Sequence, residues 1–122
     1  MSFPELVQWQ WRGYPANHAG RANLLIHLFV VPLFLAGNIG LVIALVERWP
    51  LWAIASALAM IVSVASQGAG HRREKVPPEP FTSRANAVAR IFVEQWITFP
   101  RFVLSGGWFR ALRDDVRAAS VH

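Results

Sequence analysis

One long apolar stretch near the N-terminus constrains this chain more than any other feature. It covers residues 24–46, which is long enough to cross the hydrocarbon core of a bilayer as one helix. Two polar side chains, those of His27 and Asn38, lie within it. Because a polar group in hydrocarbon is costly unless it faces a partner or a cavity, the pattern predicts a membrane helix with one polar face.

A second apolar stretch follows after a short polar turn at residues 47–50. It covers residues 51–66, and we expect its helix to continue to about Arg73. The short turn predicts two antiparallel spans, and hence an all-α membrane protein built on a two-helix hairpin. The composition agrees, because 54% of the residues are hydrophobic and the six Trp are typical of anchors at a membrane interface.

The remaining segments predict shorter helices at the membrane surface, within a single membrane domain of residues 1–122. Residues 1–22 are expected to lie in the headgroup layer, and residues 75–83 form a Pro-rich loop. A helix over about 86–100 is too short in apolar residues to span, so it is interfacial or re-entrant. A last amphipathic helix is expected over about 108–119.

The basic side chains predict the orientation of the spans and the kind of partner. The net charge is +5, and nearly all Lys and Arg lie on the side of the two chain ends, while the short turn carries Arg48. The positive-inside rule therefore places both termini in the cytoplasm, in what we expect to be a bacterial inner membrane. The charges fit a bilayer with anionic lipids, and no nucleic-acid-binding motif is present. No cleavable signal peptide is expected, and the absence of Cys excludes disulfides and thiolate metal sites.

Two stripes of side chains at helical spacing are expected to face each other in the hairpin. The stripe on the first span comprises Asn23, His27, Val31, Phe34 and Asn38. The stripe on the second span comprises Ser56, Met60, Ser63, Gln67, His71 and Glu74. Together they predict a tunnel with a polar end and a long apolar body, which suits a fatty acyl chain and would have Phe34 and Met60 in its walls.

Three histidines are expected at the polar end of this hairpin, together with one carboxylate. They are His18, His27 and His71, and Glu74 follows His71 by three residues. Neutral imidazole and carboxylate ligands suit Fe(II), Mn(II) or Zn(II), and two His with one carboxylate leave coordination positions open. The residues alone also allow histidines that merely pack between helices, and a His and Glu that belong to a solvated helix end.

Three segments of the chain resemble the Mpo-like family, also called the domain-of-unknown-function 962 family. The segments are YPANHAGRANLLIHLFVVP at 14–32, GHRREKVPPEPF at 70–81 and VEQWITFPRFVLSGGW at 93–108. The resemblance implies an Fe(2+)-dependent dioxygenase of fatty acid alpha-oxidation, with His18, His27 and His71 as iron ligands and Asn23 and Glu74 as further catalytic residues. Longer members of the family have additional membrane spans. Their acidic residue lies four positions after the histidine of the Gly-His pair, whereas Glu74 lies three positions after His71.

The resemblance also implies the substrates, a 2-hydroxy fatty acid and molecular oxygen, with loss of one carbon from the acid. We expect the substrate to contact eight residues, namely Arg21, Arg72, Arg73, Phe34, Asn38, Met60, Ser63 and Gln67, with the arginines holding its carboxylate. Two other classes of protein stay open, a metal-free membrane scaffold and another membrane metalloenzyme such as a zinc hydrolase. The sequence leaves open the substrate chain length, the number of metal ions and the existence of a homo-oligomer.

Overall fold

The computed structural model describes residues 1–121, and this part of the chain is helical with no strand. Ser2 caps the first helix through its side chain, and Ser83 caps the fourth in the same way. The elements, in order, are α1 (Phe3–Gly13), a 3₁₀ turn (Tyr14–Asn17), α2 (Arg21–Glu47), α3 (Pro50–His71), α4 (Arg84–Val93), a π-helical turn (Glu94–Thr98), α5 (Phe99–Leu104) and α6 (Gly107–Val121).

Helices α2 and α3 confirm the prediction of two long apolar helices. With 27 and 22 residues, both are long and apolar enough to cross a membrane. In the most apolar segment of each helix, only 22% of the residues of α2 and 11% of those of α3 are buried within the protein. Most of their apolar side chains therefore face outward, whereas the core helix of a water-soluble domain buries such a surface.

Small side chains let α2 and α3 pack closely in opposite directions. A Cβ placed on Gly37 would lie 2.8 Å from Cγ of Met60. Nearer the start of α2, the Ser63 hydroxyl of α3 donates a hydrogen bond to the Val30 carbonyl at 2.5 Å. Small residues at a helix contact allow the two backbones to approach. This pairing brings the first turns of α2 beside the last turns of α3.

The short helices gather around that same end of the α2–α3 pair. Trp108 of α6 is buried, and its indole N–H donates to the Leu24 carbonyl in α2 at 2.9 Å. Phe99 and Phe102 of α5 pack in the same core cluster, together with Tyr14. The N-terminal end of α2 is therefore enclosed by protein, while the rest of the pair is largely exposed.

The Pro-rich loop at residues 75–83 contains no helix, as predicted. Arg90 of α4 holds it in place, because its guanidinium donates to the carbonyls of Glu79 and Pro80 at 2.7 and 3.1 Å. The same guanidinium lies 4.5 Å from the ring centroid of Phe81. These contacts hold the loop against α4, close to the C-terminal end of α3.

Candidate metal centre

The structure brings the three predicted histidines together with Glu94, which begins the π turn directly after α4. His18, His27, His71 and Glu94 each offer one ligand atom, and these atoms all lie within 4.8 Å of one another. The four residues come from the 3₁₀ turn's end, from α2, from the last position of α3 and from the first position of the π turn. Four separate elements therefore meet at one point.

A break in the chain explains how two histidines nine residues apart reach one point. On an unbroken helix they would lie on opposite faces. The 3₁₀ turn ends before His18, and Gly20 is extended, with φ −83° and ψ 139°, so that α2 begins only at Arg21. The two histidines can bind one ion only if the chain breaks between them, and the structure has such a break at Gly20.

The three imidazole rings surround a common point. The ring centroids of His18 and His27 are 4.7 Å apart, as are those of His18 and His71, and those of His27 and His71 are 4.9 Å apart. The interplanar angles are 86°, 86° and 78°. The rings are thus nearly perpendicular to one another, as neighbouring ligands of one ion can be.

Backbone carbonyls determine which ring nitrogens carry the protons. Nδ1 of His18 lies 3.0 Å from the Tyr14 carbonyl, and Nδ1 of His27 lies 3.0 Å from the Asn23 carbonyl. Since a carbonyl only accepts, each Nδ1 must donate, which leaves a lone pair on each Nε2 of the neutral rings. Both Nε2 atoms face Oε2 of Glu94, at 3.1 and 3.3 Å. Because lone pairs and a carboxylate oxygen repel each other, this arrangement needs either a proton or a metal cation between them.

Two ring nitrogens at this point are buried without a hydrogen-bond partner. They are Nε2 of His27 and Nδ1 of His71. Protonation could supply the missing positive charge, but burial lowers the pKa of the His18 imidazole even with Glu94 beside it. Buried polar atoms are otherwise almost always paired. The donor set of three neutral imidazoles and one carboxylate therefore fits a divalent transition metal.

Tyr14 contacts the Glu94 carboxylate from outside the set of four converging residues. Burial by itself raises the pKa of the Glu94 carboxyl, but protonated His18 and His27 rings that donate to it hold that pKa well below its usual range. Burial, and then the charge of Glu94, raises the pKa of Tyr14 well above its usual value. Tyr14 therefore keeps its proton and donates to Oε2 of Glu94 at 2.7 Å.

Replacing Tyr14 with phenylalanine should weaken metal binding without abolishing it. The variant keeps the ring stacked on His18, whose centroid lies 3.6 Å away, and loses only the hydroxyl that orients Glu94. Loss of such an outer partner typically costs roughly 10–100-fold in metal affinity. Metal titration of the purified variant measures this effect. An affinity equal to that of the wild type would show that the hydroxyl does not orient the carboxylate.

Glu74, which was predicted to be catalytic, does not belong to the converging set. One of its oxygens accepts from the backbone N–H groups of Ala19 and Gly20 at 3.2 and 2.9 Å, and the other from the Asn23 amide at 2.8 Å. These are the donors that the start of α2 leaves free, since Gly20 has no side chain to cap it. Glu74 therefore caps α2 and ties the end of α3 to it.

Asn23, the other predicted catalytic residue, acts through its neighbours. Its carbonyl receives the proton of His27 Nδ1, and its side-chain amide donates to Glu74. Its Oδ1 is buried without a hydrogen-bond partner, at a position 2.3 Å from where a Cβ on Gly70 would lie. Asn23 thus orients His27 and fills the space left by Gly70, and it is not among the four residues whose ligand atoms converge.

The tunnel was expected between the stripes of α2 and α3, and these two helices are in close contact, at Gly37 with Met60 and at Val30 with Ser63. Phe34 is buried against Phe92, with ring centroids 5.3 Å apart, and the Asn38 side chain bonds the Phe34 carbonyl and the Trp96 indole. Of the eight predicted substrate contacts, two line the cavity at the metal centre, Gln67 and Arg72. The six that do not line this cavity are Arg21, Arg73, Phe34, Asn38, Met60 and Ser63.

The cavity lies on the other side of α3, between α1, α4 and the Pro-rich loop. Its volume is about 750 Å³. His18, His71 and Glu94 form part of its wall, whereas His27 lies behind them with none of its surface exposed. A ligand in this cavity would therefore contact the His/Glu cluster directly. A volume of this size is typical of a small-molecule site.

Glu94 was not predicted from the sequence, because its position beside the histidines depends on the π turn. Gln95, the next residue, exchanges two hydrogen bonds with Gln67 at 2.7 and 2.8 Å, while Glu94 meets His27. Two consecutive side chains thus both reach the α2–α3 pair, and single π turns often occur at functional sites. The adjacent acid and amide within an otherwise apolar helical stretch were the available signal.

Comparison with known proteins gives no relative of this chain. No protein-family model matches it, and neither a curated protein nor a solved structure does. The fold and the site themselves define a helical protein with two long apolar helices and a His₃Glu cluster that could hold a metal ion.

Proposed function

We propose that this protein is a membrane-bound, Fe(II)-dependent dioxygenase of the Mpo-like family that removes one carbon from 2-hydroxy fatty acids. The observation that carries the proposal is the set of lone pairs around Oε2 of Glu94, in the wall of a cavity large enough for a small molecule. The residues fit the metal because orphaned imidazole nitrogens and an ionised carboxylate point at one place.

His18, His27, His71 and Glu94 would hold the ion. Ferrous iron bound there would supply the oxygen chemistry that protein side chains lack. The carbonyls of Tyr14 and Asn23 keep His18 and His27 in the tautomer that leaves Nε2 free.

Burial and the cavity walls determine what the centre can reach. His18 is 3% exposed and His27 is fully buried, whereas the partly exposed His71 and Glu94 line the cavity. Tyr14 holds Glu94 through a charge-assisted hydrogen bond, which keeps the carboxylate ionised and oriented. These residues hold the ligand atoms still while a substrate enters from the cavity.

The exposed apolar faces of α2 and α3 support a place in the membrane for this protein. We propose that these two helices cross the bacterial inner membrane as a hairpin, and that α1 and α4–α6 lie on its cytoplasmic face with both termini. A fatty acid dissolved in the bilayer would then reach the cavity without passing through water.

Alanine at His27 or at His71 should remove most of the bound metal and nearly all activity. Each variant deletes one lone pair from a centre that depends on all four residues. Elemental analysis of protein purified without a chelator gives the metal content, and oxygen consumption with 2-hydroxypalmitate gives the activity. Ser66→Ala is a suitable control, because Ser66 is a partly exposed polar residue on α3 whose side chain bonds only the Val62 carbonyl within residues 1–121.

The same measurements separate the proposed enzyme from the other two classes. Wild-type protein that carries no metal would be a scaffold with packing histidines. Wild-type protein that carries zinc and consumes no oxygen would be a different metalloenzyme. Iron bound equally well by folded His27→Ala and His71→Ala variants would show that the metal binds elsewhere.

A further inference from the structure

The cavity beside the metal centre has a largely apolar lining. Its apolar side chains come from α1, α3, the Pro-rich loop and α4, and include Trp9, Val64, Val76, Pro77, Phe81 and Ile91. An alkyl chain gains free energy by leaving water for such a surface, at about 25 cal/mol per Å² of apolar area buried. The alkyl part of a ligand in this cavity would therefore lie against these residues.

Two unpaired cations border the same cavity. Arg12 and Arg72 are exposed, line the cavity, and make no salt bridge or side-chain hydrogen bond within residues 1–121. The third lining arginine, Arg90, already donates to the Pro-rich loop. Of the acidic residues in the lining, Glu94 faces the histidines, and the exposed Glu79 pairs with neither free arginine. The cavity thus offers two free guanidinium groups near a metal-binding cluster.

We propose that this cavity is the substrate site, and that it binds the carboxylate of a long-chain acid through Arg12 and Arg72. The alkyl chain lies against the apolar lining, on the α1 and α4 side of α3, rather than between α2 and α3. The proposal deepens the proposed function and rests on it for the identity of the acid. Guanidinium groups suit this task because their planar donors match the two oxygens of a carboxylate.

Glutamine at Arg12 or at Arg72 should each weaken binding of 2-hydroxypalmitate roughly tenfold, since a hydrogen bond to a charged group is lost. The affinity is measured by calorimetry under nitrogen, in one fixed detergent, so that no turnover occurs. The control is Arg73→Gln, because Arg73 is an exposed neighbour that does not line the cavity. The neutral analogue 1,2-hexadecanediol should bind all four proteins with equal affinity, since it lacks the carboxylate.

Leucine at Gly68 should block the same site by filling it. Gly68 lines the cavity, and a Cβ placed on it meets only the Arg72 guanidinium, at 3.8 Å. The variant should therefore fold, and glycine removal from a helix interior is usually stabilising. We expect Gly68→Leu to lower the affinity for 2-hydroxypalmitate and for the diol alike, and Gly68→Ala to change both much less.

The outcomes distinguish this inference from the proposed function. Arginine-dependent binding of the acid supports the cavity site, even in a protein that consumes no oxygen and so is not a dioxygenase. Undiminished affinity in Arg12→Gln, Arg72→Gln and Gly68→Leu overturns the cavity site, even if the wild type consumes oxygen. Weakening by Arg73→Gln to the same extent would also overturn it, because the charge effect would then be unspecific.

Discussion

Replacing Glu94 with glutamine should abolish metal binding while leaving the metal-free protein at least as stable as the wild type. The carboxylate supplies the negative charge that balances a divalent cation, and its loss should weaken binding by at least about 100-fold, beyond the range typical of an outer partner. Without metal, however, Oε2 of Glu94 faces the lone pairs of His18 and His27. A carboxamide could turn its N–H₂ toward those nitrogens and bond them.

Glu74→Gln is the matched control, and it should give the opposite pattern. The Glu74 carboxylate caps α2, so its loss should cost about 0.5–2 kcal/mol of stability. The variant should still bind metal, because the four converging residues remain. Elemental analysis and thermal unfolding of the two metal-free proteins measure both effects. Metal retained by Glu94→Gln and lost by Glu74→Gln would reverse the assignment of the carboxylate ligand.

Alanine at Gly70 should disrupt the centre and strongly destabilise the protein. The added Cβ would lie 2.3 Å from Oδ1 of Asn23 and 3.4 Å from its Cα. Asn23 cannot move aside freely, because its amide donates to Glu74 and to the Asn17 carbonyl. Overpacking of this kind costs about 1–3 kcal/mol. It should also push the neighbouring His71 away from the other ligands.

Gly68→Ala, two residues earlier on the same helix, is the control for this substitution. A Cβ there meets nothing closer than 3.8 Å, so the usual preference of a helix for alanine over glycine should make it neutral or stabilising, by up to about 1 kcal/mol. Thermal unfolding and metal content of the two variants are compared. If Gly70→Ala were as stable as Gly68→Ala and kept its metal, close contact between the helices would not be needed for the centre.

The features that could be predicted from sequence are those that depend on local pattern. The two apolar helices follow from hydropathy, and the Pro-rich loop follows from its composition. The meeting of His27 with His71 follows from antiparallel packing of helices joined by a short turn, and the structure does place them together. Each of these features follows from the hydropathy or composition of one segment, or from a single antiparallel pairing of two helices.

The features that were missed depend on contacts between distant segments. The tunnel prediction assumed space between α2 and α3, but Gly37 lets Met60 approach and closes it. Glu74 was predicted from its position three residues after His71, and Glu94 was not considered. The hydrogen bonds of Glu74 to Gly20 are visible only once the start of α2 is placed beside the end of α3. Proximity along the chain therefore did not indicate which carboxylate lies beside the histidines.

The use of four separate elements for one centre has a consequence for how the protein matures. A chain is synthesised from its N-terminus, so His18, His27 and His71 can be complete in a packed α2–α3 pair before Glu94 has emerged. Until α4 docks, the pair presents three imidazoles without the carboxylate that balances a divalent charge. For the metalloenzyme proposed above, metal loading would then follow the docking of α4. On the same proposal, a cell starved of the metal would accumulate chains in which Glu94 does not yet hold α4 against the α2–α3 pair.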